Sequence, residues 1–114
     1  MRPETLAALS DALLAADRVR LALDGVGADR FLEDWEKQAV VERQLTILGE
    51  ALVRIRAKEP VVLGGIPEHE KAIGLRNLLV HGYDAVDAGT LYRLAQESLP
   101  ALATAIRRVL PEIG

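Results

Sequence analysis

Residues 41–58, VERQLTILGEALVRIRAK, place Leu45, Leu48, Leu52 and Ile55 at alternating steps of three and four. Successive residues of a helix turn by about 100°, so side chains at this spacing share one face. Traced backwards, the same stripe takes in Val41 or Glu42, Gln38, Trp35 and Phe31. One long helix is therefore expected from Ala28–Phe31 to Lys58. Such a helix of roughly 28 residues would measure about 42 Å. Pro60 is its natural stop, because proline cannot donate the hydrogen bond that would continue the ladder.

The flanking sequence follows the same rule. Leu6, Leu9, Leu13, Ala16 and either Val19 or Arg20 mark the apolar face of a first helix, from Pro3 to about Asp24. Pro3 and Glu4 suit its first turn, and Gly25-Val26-Gly27 breaks it. VVLGGIP, residues 61–67, is the one clearly non-helical linker. Its Val-Val-Leu run has no second strand to pair with, so we read it as a connection with one buried side. Pro67 opens a third helix, with Glu68 and Glu70 at the positive end of its dipole. That helix carries Ile73, Leu75, Leu78, Leu79 and Val80 and ends near His81 or Gly82. A fourth begins between Asp87 and Leu91. Its face is Leu91, Leu94, Ala95, Leu99, Leu102, Ile106, Val109 and Leu110, and Pro100 should kink or split it near Leu99. The expectation is an all-α, four-helix up-down bundle forming one domain over residues 1–114.

Composition agrees and removes several chemistries. Half of the 114 residues are apolar, dominated by Ala and Leu, and only 4% are aromatic, which suits helices better than strands. The absence of cysteine excludes disulfides, thiolate metal sites and a Cys nucleophile. The N-terminal MRPETLAALSDALLAADRVR is amphipathic and carries acids, unlike a signal peptide. No apolar run reaches the roughly 18 residues that span a bilayer. A soluble, cytoplasmic protein without a membrane partner is expected. The net charge is −3, whereas nucleic-acid binders usually carry a basic surplus. Any RNA contact must then be local, or be built by bringing two chains together.

One segment is left unexplained by helix packing. Arg76-Asn77-Leu78-Leu79-Val80-His81-Gly82-Tyr83 gathers Arg, Asn, His and Tyr within eight residues. On an ideal helix Asn77 and His81 lie about 40° apart, but Arg76 and His81 lie about 140° apart. Either the long Arg side chain reaches around, or the helix frays at Gly82, or a symmetric homodimer supplies both groups to one cleft. The plainer reading is a capping pair at a helix end. Other candidates read more simply. His69 between Glu68 and Glu70 has loose spacing for a metal and reads as solvent-exposed. Glu50 reads as a surface or salt-bridge residue. Phe31 and Trp35 read as core or dimer-interface anchors. Arg54, Arg56 and Lys58 suit a helix C-terminus, with RNA guidance as the other reading.

The Arg76-x4-His81 spacing resembles the signature of HEPN domains, and His81-Gly82-Tyr83 resembles the His-x-Tyr extension of HepT-like ribonuclease toxins. The Gly49-Glu50 pair late in the second helix fits the same pattern. The likeness covers most of the chain, from about Ser10 to Val109. The resemblance implies a single HEPN domain that cleaves RNA without metal or other cofactor. Arg76 and His81 would be its catalytic pair, and Asn77 would orient the phosphate or His81. It further implies a type II/VII-like toxin–antitoxin pair. The partner would be a minimal nucleotidyltransferase antitoxin that adds AMP to Tyr83. Two other readings compete. One is a catalytically silent HEPN module that binds nucleotide or a nucleotidyltransferase partner. The other is a purely structural bundle.

Overall fold

The structure is a computed structural model and describes residues 1–82 and 86–111. Among the described residues, six α-helices make an all-helical bundle: α1 (Pro3–Ala22), α2 (Ala28–Glu33), α3 (Trp35–Lys58), α4 (His69–His81), α5 (Ala88–Glu97) and α6 (Leu99–Val109), with a 3-10 helix over Pro60–Gly65. No strand occurs among the described residues, as expected from the sequence. No helix among them is long and apolar enough to cross a membrane.

The main seam joins α1 to α3. The α1 face is turned relative to the expected one. Ala8, Leu9, Ala12, Ala15, Ala16 and Val19 are buried, while Leu6 and Leu13 are only half-buried. Alanines in the centre let the two backbones approach, and the larger leucines close the rim. Leu45, Leu48, Leu52 and Ile55 are all buried on α3, as the stripe predicts. Burial of this aliphatic set supplies the main favourable term for the bundle.

The expected single second helix is two helices, because Asp34 interrupts it. Asp34 has φ −109° and ψ 88°, and its carboxylate accepts the Lys37 N–H at 3.0 Å to cap α3. The Gln38 amide donates to the carbonyls of Phe31 (2.9 Å) and Leu32 (3.2 Å) at the end of α2, where the Phe31 carbonyl also accepts the Asp34 N–H. The break sends Phe31 and Trp35 different ways. Phe31 is fully buried against the Tyr92 ring, with centroids 5.4 Å apart. Trp35 is 73% exposed, so it is not a core residue.

The linker is more ordered than its sequence suggests. Pro60–Gly65 forms 3-10 turns with Leu63 buried, Ile66 follows buried, and Val61 points to solvent. Nor does Pro67 open the next helix. Glu68 takes a left-handed conformation (φ 64°), and α4 begins at His69, with Lys71 and Ala72 donating to the Glu68 carbonyl. At the other end of the chain the proline behaves as expected. Ser98 ends α5 and precedes α6, and Pro100 sits in the first turn of α6, where its missing N–H is harmless.

Candidate functional site

α4 is the most loosely embedded of the longer helices. It packs principally on α3, and Ile73 is its one fully buried residue. Leu75 and Leu79 are half-buried, while Leu78 and Val80 are 49% and 47% exposed. A helix that carries this much aliphatic surface to solvent is incompletely covered by its own chain.

Against α3, α4 is seated through a glycine. A Cβ added at Gly49 would overlap the Arg76 Cβ, lie 2.9 Å from the Arg76 Cγ and 3.1 Å from the Ala72 carbonyl oxygen. Arg76 therefore starts from the side of α4 that faces α3, with its stem laid over bare backbone. Its Nε is buried and has no hydrogen-bond partner among the described residues. The head emerges far enough for Nη1 to donate to the Asn77 side-chain oxygen at 2.9 Å. Among the described residues no carboxylate pairs with Arg76. The ion pairs instead join Arg54 to Asp11, Lys71 to Glu68 and Arg107 to Asp17.

Asn77 and His81 lie on the exposed side of α4, one turn apart. His81 is the last helical residue. Gly82 follows in a left-handed conformation (φ 60°), and its N–H donates to the Leu78 carbonyl at 3.1 Å. That cap ends the helix where glycine is the residue least strained by a positive φ. The fold thus brings the Arg76 head to Asn77, and Asn77 to the face that carries His81. Tyr83 lies outside the described residues.

Arg54 is tied to Asp11. His69 is half-buried, not fully exposed as read from its neighbours, with Nδ1 2.8 Å from the Ile66 carbonyl oxygen. Glu50 is half-buried and makes no ion pair among the described residues. No group of three metal-ligating side chains is found among them. Three concavities stand out, the largest about 610 Å³ between α1, α5 and α6. None of the three takes in Arg76, Asn77 or His81. In one chain Asn77 and His81 lie on the exposed surface, among the described residues.

Gly49 was singled out only as part of the Gly49-Glu50 pair, and its contact with Arg76 was not foreseen. The signal was there: glycine inside a helix costs about 1 kcal/mol relative to alanine, so a mid-helix glycine needs a packing reason.

A model of the family described as "Ribonuclease HepT-like" matches residues 12–109, most of the chain. No curated protein and no solved structure matches it. The matched span runs from the first seam of the bundle to the end of α6 and encloses the Arg76–His81 segment, and the protein is thereby a member of the HepT-like ribonuclease family.

Proposed function

We propose that the protein is a metal-independent RNA endonuclease, the toxin of a type II/VII-like toxin–antitoxin pair, working as a symmetric homodimer. The observation that carries this reading is Arg76: a half-buried cation with no carboxylate partner among the described residues, beside Asn77 and one turn from His81. Holding a guanidinium partly out of water without a counter-charge is unfavourable, and an incoming phosphate relieves it.

RNA carries its own nucleophile. The 2′-hydroxyl oxygen attacks the adjacent phosphorus and the bond from phosphorus to the 5′-oxygen breaks. A base takes the 2′-hydroxyl proton and an acid returns one to the leaving oxygen. The products are a 2′,3′-cyclic phosphate and a 5′-hydroxyl. An imidazole such as His81 performs either transfer. Arg76 stays charged throughout and stabilises the negative charge that grows on the phosphoryl oxygens. Asn77 holds the Arg76 head. A second copy packed through the exposed side of α4 turns an open surface into a cleft and doubles its positive charge. In the same scheme a minimal nucleotidyltransferase antitoxin transfers AMP to the Tyr83 oxygen. Pyrophosphate leaves ATP, and the added phosphodiester repels RNA from the Arg76 head.

The test is cleavage of RNA by the purified chain in EDTA, with end-group analysis of the products. Cleavage to cyclic-phosphate ends, lost by roughly 10²–10⁴-fold in His81→Ala and also lost in Arg76→Ala, is the expected result. An inert wild type would leave a silent module that binds nucleotide or the nucleotidyltransferase, and activity surviving both substitutions would take cleavage away from Arg76 and His81. For control, intact-mass spectra of toxin co-expressed with its antitoxin should show AMP on the Tyr83 peptide.

A further inference from the structure

We infer that Gly49 is a positioning residue for RNA cleavage: it is the notch over which the Arg76 stem lies, and it presents the outer edge of the guanidinium to phosphate. The inference rests on the ribonuclease reading above, and adds a residue on a different helix.

The geometry leaves little freedom. Cβ and Cγ of Arg76 occupy the space that a side chain at position 49 would need, and the Ala72 carbonyl closes it from one side. With the stem pressed there, Nε is sealed from solvent and makes no hydrogen bond among the described residues. A guanidinium has five N–H donors in a fixed plane. The Nε–H is shut away, and one Nη1 hydrogen is given to Asn77. Three Nη hydrogens remain, one on Nη1 and two on Nη2. The side-on grip through Nε and Nη2 is closed, so Arg76 meets phosphate through its Nη groups alone. An unpartnered buried N–H is unfavourable, so packing has to hold it in place, and the Gly49 notch is that packing. A helix with alanine at this position would hold its own fold better but would push the Arg76 stem, or α4 itself, outward.

The experiment joins kinetics to NMR of the arginine Nε–H groups in the full chain. A misplacement of the order of 1 Å is expected to slow cleavage by roughly 10²-fold in Gly49→Ala while helicity is retained. Because Gly49 acts through Arg76, the double variant Gly49→Ala/Arg76→Ala should cleave no more slowly than Arg76→Ala alone. A glycine with only a general structural role would instead give multiplying losses, which would overturn the inference. The NMR arm does not depend on activity. The Arg76 Nε–H of the wild type should exchange with solvent far more slowly than that of exposed Arg93, and Gly49→Ala should abolish the difference. If the wild-type Arg76 Nε–H exchanges as fast as that of Arg93, the inference is wrong even where Gly49→Ala fails to fold. Slow wild-type exchange that is lost in Gly49→Ala, in a protein that cleaves no RNA, would uphold the seating of Arg76 and overturn its use in cleavage.

Discussion

Arg76 Nη1 donates to the side-chain oxygen of Asn77 at 2.9 Å, a bond between two successive residues of one helix. Neighbours on a helix point about 100° apart, so only a long side chain bent along the surface makes this contact. The bend carries the positive charge from the α3 side of α4 toward the side that bears His81.

That bond makes Asn77 testable. Asn77→Ala frees the guanidinium and should slow cleavage by roughly tenfold, the equivalent of one hydrogen bond to a charged group. Asn77→Asp should do more damage, chiefly in KM, because a carboxylate at this place competes with the RNA phosphate for Arg76. Steady-state kinetics on both variants decide it. An Asn77→Asp enzyme as good as wild type would show that this bond plays no part in the site.

The exposed aliphatic side of α4 predicts how the chain associates. Leu78→Asp should weaken a dimer built on that face by roughly tenfold or more and lower cleavage in parallel, without loss of helicity. Sedimentation at several concentrations reads the first effect. Mixing inactive Arg76→Ala and His81→Ala chains tests the sharing of residues. Activity should return if one cleft takes Arg76 from one copy and His81 from the other, and should stay absent if each copy works alone.

The third prediction concerns acid stability. The Glu59 carboxylate accepts the Arg2 N–H at 2.9 Å and the buried Thr5 hydroxyl at 2.8 Å, tying the start of α1 to the end of α3. Those bonds, the Arg2 N–H first, hold its pKa below the ordinary value of 4.5. A group whose folded pKa is lowered stabilises the fold above the unfolded pKa, and loses that contribution as pH falls through the folded value. Thermal melts should therefore show the wild type above Glu59→Gln near neutrality, with the gap closing below about pH 4.5. A gap that is constant with pH would refute the assignment.

The sequence by itself determined what depends on near neighbours along the chain. Steps of three and four in Leu45, Leu48, Leu52 and Ile55 settle the helix, since periodicity is a property of the backbone screw. The split at Pro100 and the stop at Gly82 follow from a missing N–H and from freedom at positive φ. Residue type also singled out Arg76, Asn77 and His81 as the segment that helix packing leaves unexplained. Only the tertiary structure decided where surfaces meet. The alanine face of α1, the break at Asp34 and the exposure of Trp35 depend on which neighbour each face finds, and no local pattern encodes that. Nor does spacing on one helix tell where Arg76 can put its charge. That was decided by Gly49 on another helix, because two helices approach this closely only where one of them has no side chain.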